Sequence, residues 1–167
     1  MSVTINVQVN TFEEVVIGTQ TWMARNYDFG GIYPASDEDN VTDYGRLYTW
    51  TEALAISVPG WHLPTDTEWS TLITYLGGES VAGGTLKEAG TDHWDSPNTG
   101  ADDSSGFTAV GAGANASNIN ISSRLWASTE FASGFTYYVR LSNAAATAVL
   151  DYTAPSTNTY SVRLIKD

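Results

Sequence analysis

The placement of two helix-start motifs between stretches of strand-like sequence constrains the fold of this 167-residue chain more than any other feature. Each motif is a Thr followed three residues later by a Glu, at 49–52 and 65–68, which is the pattern of a capping box. Behind the second motif, apolar residues recur on one helical face at Trp69, Leu72, Ile73 and Leu76. We predict a short helix that ends before Pro59 and a longer helix that ends at Gly77-Gly78.

Strand patterns lie on both sides of these two helices. Residues 15–23 read as a hairpin that turns at Gly18-Thr19. Toward the C-terminus, strand-like segments occupy 125–128, 135–141, 148–150 and 160–165, with turn residues between them. We expect a loop over 32–44 and mostly irregular structure over 83–123, pinned by Trp94 and Phe107. No tandem repeat is visible, and this order of elements predicts an α+β fold.

The N-terminal residues form a separate pattern. Apolar and polar side chains alternate from residue 3 to residue 9, with Val3, Ile5, Val7 and Val9 on one face. This alternation predicts a half-buried strand or an assembly arm that docks on a neighbouring subunit. We therefore divide the chain into an N-terminal strand or arm at 1–14 and a domain at 15–167.

Charge and cysteine content exclude several classes of function. The net charge of −12 would repel a phosphate backbone or an anionic membrane, so we expect neither as a partner. The absence of cysteine excludes disulfides, thiolate nucleophiles and Cys-based metal sites. We find neither a signal-peptide pattern after Met1 nor an apolar run long enough to span a membrane, so we expect no membrane insertion.

The segment 60–69 is the most informative stretch. Pro64 and Thr65 prepare the start of the longer helix, and we expect Trp61 and Trp69 to enter the core. We interpret His62, one of two histidines, as a hydrogen-bonded core residue in preference to a ligand.

Gly60-Trp61-His62-Leu63-Pro64 before a Trp-bearing helix resembles the Fibrobacter succinogenes major paralogous domain family. Further matches follow at 18–26 (GTQTWMARN), 44–50 (YGRLYTW), 102–107 (DDSSGF), 125–131 (LWASTEF) and 160–167 (YSVRLIKD). The family resembles the C-type lectin fold, as do formylglycine-generating enzymes and the variable proteins of diversity-generating retroelements. The resemblance implies paired N- and C-terminal strands, two helices, and a long loop-rich region that presents ligand contacts.

The chain departs from this family in its lack of cysteine. Members often carry Cys before the Gly-Trp-His-Leu-Pro segment and in the last strand, where this chain has Ser57 or Val58 and Leu164. The resemblance therefore implies that packing replaces a disulfide here.

Metal binding is weakly indicated. The Glu-Pro-Asn, Gln-Pro-Asp and Trp-Asn-Asp motifs of sugar-binding C-type lectins do not occur, so we expect no cofactor and the resemblance gives Ca²⁺ no support. Oxygen ligands at loop spacing make one candidate metal site, for which a solvated acidic loop is the alternative: Asp37, Asp39, Asn40 and Asp43. Asp102-Asp103 suits a loop-anchoring role as well as a metal.

Enzymatic roles find little support in the sequence. Formylglycine-generating enzymes need Cys, which this chain lacks. A Ser/His/Asp triad would have to use His62 or His93, and the chain has no Gly-x-Ser-x-Gly elbow. We predict that the protein is not an enzyme.

The composition of 131–162 points to a binding surface. These 32 residues contain no Lys, Glu, Gln, Met or Trp, whereas the other 135 residues contain 20 of them. Diversity-generating retroelements replace adenines at random, and AAC or AAT codons changed in this way cannot encode Lys, Glu, Gln, Met or Trp. The alternative explanation is that strands and turns disfavour Lys and Glu. Tyr among small residues suits a contact surface. The candidate ligand-binding residues are Phe135, Tyr137, Tyr138, Arg140, Asn143, Tyr152, Thr157 and Asn158.

These observations predict a recognition or adhesion domain displayed on a phage virion, as part of a fibre, tail or head decoration. The partner would be a protein or glycan on the host-cell surface, and neighbouring virion subunits would meet the N-terminal strand, with a homotrimer as one option. The alternatives are a purely structural decoration protein and a bacterial cell-surface adhesin.

Overall fold

The computed structural model describes residues 12–32, 41–154 and 157–167. The N-terminal alternating segment 3–9 and three of the four candidate metal ligands, Asp37, Asp39 and Asn40, lie outside these residues. The described part is a mixed α+β fold with two sheets, which confirms the predicted fold class.

Four helices and nine strands make up the described part. The helices are α1 (Val41–Tyr44), α2 (Trp50–Leu54), α3 (Asp66–Tyr75) and α4 (Glu79–Leu86). The strands are β1 (Glu14–Ile17), β2 (Gln20–Met23), β3 (Leu47–Tyr48), β4 (Trp61–His62), β5 (Ser122–Ala132), β6 (Phe135–Ser142), β7 (Ala145–Thr153), β8 (Tyr160–Ser161) and β9 (Ile165–Lys166). Among the described residues, no helix is long and apolar enough to cross a membrane.

The two sheets join the ends of the domain. The smaller sheet has the order β1-β2-β9-β4, and Trp22 of β2 pairs with Ile165 of β9, so strands from both ends of the domain lie side by side. The larger sheet has the order β3-β8-β5-β6-β7 and is antiparallel except between β5 and β8.

Both predicted helix starts are confirmed. In α2 and α3 the Thr side chain accepts from the backbone N–H of the Glu three residues on, and that Glu accepts from the Thr backbone N–H. The predicted apolar face of α3 packs inward, with Trp69 and Leu72 fully buried. Trp61, by contrast, is only partly buried, because β4 lies at the edge of the smaller sheet.

Two sequence predictions need correction. Helix α4 begins at Glu79 and runs into the segment predicted to be irregular. The predicted strand over 160–165 is two strands that belong to different sheets. Residues 162–164 cross between the sheets through the core, where all three side chains are buried, so the alternation of apolar Val162 and Leu164 with Arg163 imitates that of a strand.

Two hydrophobic clusters fill the interior. The larger lies where the β5-β6-β7 face meets α3 and α4, and the rings of Trp22 and Trp69 pack there with centroids 4.7 Å apart. The second surrounds Trp126, whose ring stacks on Tyr160 at 4.2 Å. Val58 and Leu164 both pack in this second cluster, in agreement with packing in place of a disulfide.

Candidate recognition surface

Four aromatic side chains cluster at one end of the larger sheet. The ring of Phe131 stacks on that of Tyr152, with centroids 4.0 Å apart and an interplanar angle of 11°. Tyr137 meets Phe131 edge-on at 5.4 Å, and Phe135 meets Tyr152 edge-on at 6.1 Å. We call these four side chains the aromatic cluster.

The strand register brings the side chains of the aromatic cluster together on one face of the sheet. Tyr137 of β6 pairs with Tyr152 of β7, so their side chains lie on the same face. A two-residue turn joins β5 to β6, and its Gly134 has a φ of +81°, a conformation that favours glycine. Register shifts near Glu130 interrupt the β5–β6 ladder just before this turn. Such irregularities change the direction in which side chains project at the end of a strand, which is consistent with the projection of Phe131 toward Tyr152.

The aromatic cluster is exposed although it is apolar. Phe131, Phe135 and Tyr152 are 46%, 42% and 48% exposed, while Tyr137 is partly buried against the core and anchors the group. Single exposed apolar residues are ordinary, but contiguous ones mark interaction surfaces. Three of the four were predicted from the sequence. Phe131 was missed as a site residue, although its place just before a Gly-containing turn that is followed by Phe135 was a usable signal.

Tyr138 does not belong to the surface, contrary to the prediction. It is 7% exposed because it points to the other face of the sheet, where it packs on Trp126 and Tyr160. Its hydroxyl donates to Asp151 Oδ2 at 3.2 Å. Burial, together with the negative charge of Asp151, raises the pKa of Tyr138 to about 12.

Asn143, another candidate ligand-binding residue, lies away from the aromatic cluster. It lies in the β6–β7 turn, at the opposite end of the sheet from the aromatic cluster. Its backbone N–H donates to Ile121 O, its Nδ2 donates to Asp95 O at 3.2 Å, and its carbonyl accepts from Thr99 N–H. These bonds join the turn to the irregular segment before β5, so Asn143 acts as a structural residue.

The remaining candidate residues lie apart from the cluster. Asn158 fastens its own loop, donating to Thr153 Oγ1 and Ala154 O and accepting from Asn115. Thr157 is exposed in the same loop. Arg140 lies on the face opposite the aromatic cluster, 3.9 Å from Asp151 Oδ2.

The described part of the chain gives no support to a metal centre. Asp43 is exposed on α1, and no three potential metal-ligating side chains gather among the described residues. Asp102 and Asp103 anchor their loop: Asp102 accepts from Ser104 N–H, and Asp103 accepts from both the N–H and the hydroxyl of Thr108. The hydrogen bonds from Ser104 hold the pKa of Asp102 below its usual value.

Three of the segments that carry the family resemblance meet at Arg163, which is fully buried. Its guanidinium donates to Asn26 Oδ1 and Met23 O and to the Phe107 carbonyl, and it lies 4.3 Å from the centroid of the Phe107 ring. Asn26 in turn donates to the Tyr44 carbonyl. The shared segments therefore build the scaffold of the domain.

Both histidines are held by carboxylates. His62 Nδ1 lies 2.7 Å from Asp167 Oδ1 and its Nε2 lies 2.9 Å from Glu68 Oε1, so it ties β4 to α3 and to the chain end. The side chain is 38% exposed, so the predicted hydrogen bonding is confirmed but the core position is wrong. His93 pairs with Glu88 at 2.9 Å.

The fold and its buried arginine define a small mixed α+β domain with an exposed aromatic cluster at one end of its larger sheet. The chain belongs to the Fibrobacter succinogenes major domain family, whose model matches residues 15–166. No curated protein and no solved structure matches the chain.

Proposed function

We propose that this chain is a non-enzymatic recognition domain that binds a cell-surface partner through the aromatic cluster of Phe131, Phe135, Tyr137 and Tyr152. The observation that carries the proposal is the exposure of this cluster at the end of the larger sheet that contains the β5–β6 turn. Aromatic side chains supply large contact areas with few rotatable bonds and dominate the energetics of binding surfaces. The cluster lies within the stretch that lacks Lys, Glu, Gln, Met and Trp.

A C-type-lectin-like architecture is part of the proposal. The pairing of β2 with β9 and the two capped helices support it, as does the long irregular segment between α4 and β5. In that architecture the strands before the terminal one present the contact surface, which is where the aromatic cluster lies.

Display on a phage virion is the proposed setting. The absence of cysteine suits a protein that folds in a reducing cytosol before particles are released. The partner would be a protein or a glycan of the host surface. Antibody labelling of intact particles, with mass spectrometry of purified ones, tests this setting separately from binding.

The binding proposal is tested with Tyr152→Ala. Tetramerised wild-type protein should bind intact host cells or an arrayed glycan, and Tyr152→Ala should weaken binding at least about fivefold, or 1 kcal/mol, because it removes half of the stacked pair. Tyr75→Ala is the matched control, since Tyr75 is 65% exposed on α3 and outside the cluster.

Equal binding by wild type and Tyr152→Ala, with Tyr75→Ala also unchanged, would contradict the proposed surface. A wild-type protein that binds nothing at high avidity would instead favour a purely structural decoration role.

A further inference from the structure

Two arginines stand apart from the other cationic groups of the chain. The sequence has seven Lys and Arg residues. Two are fully buried (Lys87 and Arg163), two form ion pairs at 3.6 Å or less (Arg25 and Lys166), and Arg46 donates to a backbone carbonyl. Arg124 and Arg140 remain, and they are direct cross-strand partners between β5 and β6.

This pairing places two positive charges side by side. Residues directly opposite each other on neighbouring strands project to the same face with Cβ atoms about 5 Å apart, and like charges there are destabilising. Asp151 is the one described carboxylate in reach, 3.9 Å from Arg140 Nε. The same Asp151 oxygen already accepts from the Tyr138 hydroxyl. One shared carboxylate leaves a local charge of +1.

Arg124 is held in place without a carboxylate partner among the described residues. It donates to the Tyr160 hydroxyl at 3.3 Å, and its guanidinium carbon lies 5.8 Å and 5.3 Å from the ring centroids of Tyr138 and Tyr160. Its Nε is buried and meets no hydrogen-bond acceptor in the described part of the chain. Cation–π contacts thus orient the Arg124 guanidinium over the two tyrosine rings.

We propose that Arg124 and Arg140 form a binding site for the carboxylate of an acidic saccharide. A guanidinium presents parallel N–H donors that match the two oxygens of a carboxylate. One carboxylate also neutralises the remaining +1 charge and relieves the repulsion between the arginines. Ser122 and Ser142 pair directly beside Arg124 and Arg140 on β5 and β6, and such hydroxyls suit a hydroxylated ligand.

The site is separate from the aromatic cluster. Arg140 and Tyr137 occupy alternate faces of β6, so the arginine pair and the cluster lie on opposite faces of the sheet. Failure of either proposal therefore leaves the other standing.

The test is a titration of the full chain with D-glucuronate, and with D-glucose as the ligand that lacks a carboxylate, followed by NMR of the arginine Nε–Hε groups. Glucuronate should shift the Arg124 and Arg140 signals saturably, and glucose should not. Arg124→Gln and Arg140→Gln should each weaken glucuronate binding about tenfold or more, because each removes charge-assisted hydrogen bonds. Arg25→Gln, which removes an exposed charge elsewhere, should bind like wild type.

Several results would overturn the proposal. These are equal responses to glucuronate and glucose, shifts confined to other residues, and unchanged affinity in both Gln variants. A response to a glutamate-containing peptide but not to glucuronate would overturn the saccharide assignment.

Thermal unfolding checks that each variant is folded. Arg140→Gln should keep or raise the melting temperature of the free protein because it removes the repulsion between the two arginines. Should a Gln variant not fold, the wild-type signals decide alone.

Discussion

Buried charge at single residues shows how this chain holds its irregular segments. Arg163 and Lys87 are both fully buried, and each donates mainly to backbone carbonyls. Lys87 Nζ donates to the carbonyls of Thr99, Ser142 and Ala145 at 2.8–3.1 Å, and burial lowers its pKa to about 8. Carbonyls in loops and at strand ends need donors, and these two side chains supply them.

Arg163→Met should destabilise the domain strongly. The variant keeps apolar bulk but leaves the Met23 and Phe107 carbonyls and Asn26 Oδ1 without their donor. We expect a loss of about 3 kcal/mol or more in the free energy of unfolding, measured in urea. Arg25→Met, at an exposed position, should change it by less than about 0.5 kcal/mol. A small effect of Arg163→Met would show that water replaces the guanidinium.

His62 should make stability depend on pH. Burial lowers its pKa, but the hydrogen bonds to Asp167 and Glu68 raise it more, so the net shift is upward from 6.5. A raised pKa means that the stabilisation is complete below about pH 6.5 and is lost as pH rises through the folded-state pKa. The melting temperature of wild type should therefore exceed that of His62→Gln by more at about pH 5.5 than at about pH 8.5. A constant difference would contradict this role.

At the residue scale, the sequence identified which side chains are aromatic but not which of them are exposed. Tyr137, Tyr138 and Tyr152 look alike in the sequence, and alternation predicts only that neighbours point to opposite faces. Both faces of this sheet are partly covered, so exposure depends on how far α3, α4 and the loops extend along it. Tyr138 lies where neighbouring segments cover the sheet, whereas Tyr152 lies beyond the covered part.

At the scale of elements, short sequence motifs predicted those helix starts and turns that depend on hydrogen bonds between residues close in the sequence. The capping boxes of α2 and α3 and the β1–β2 hairpin are formed by residues within a few positions of each other, and all three were predicted. Helix α4 was missed because Gly83 and Gly84 disfavour helices in isolation. Glycine is needed at position 83 because of tertiary packing. The helix lies so close to β7 that a Cβ at Gly83 would overlap the Thr147 carbonyl.

Gly83→Ala tests this close contact. In an open helix the change would stabilise by up to about 1 kcal/mol, because Ala is the better helix former. Here the added Cβ has no space, so we expect a loss of about 1–3 kcal/mol in the free energy of unfolding. Ser80→Ala, exposed in the first turn of α4, is the control and should have little effect. Stabilisation by Gly83→Ala would show that α4 moves away from β7 freely.

At the scale of the whole molecule, scaffold and proposed contact surface occupy different parts of the sequence. The family segments converge on Arg163 and on the Trp126–Tyr160 stack, inside the domain. Three of the four aromatic-cluster residues, Phe135, Tyr137 and Tyr152, lie beyond those segments, and Phe131 ends one of them. Such a division lets the surface vary while the core is kept.

Site-specific photo-crosslinking tests the proposed contact surface most directly. A p-benzoylphenylalanine in place of Phe135 lies in the aromatic cluster, and the same group in place of Tyr75 lies outside it at a position that is more exposed, 65% against 42%. After irradiation on intact host cells, the position-135 protein should form a covalent adduct with a surface component and the position-75 protein should not. Adducts from position 75 alone, or equally from both positions, would contradict the account.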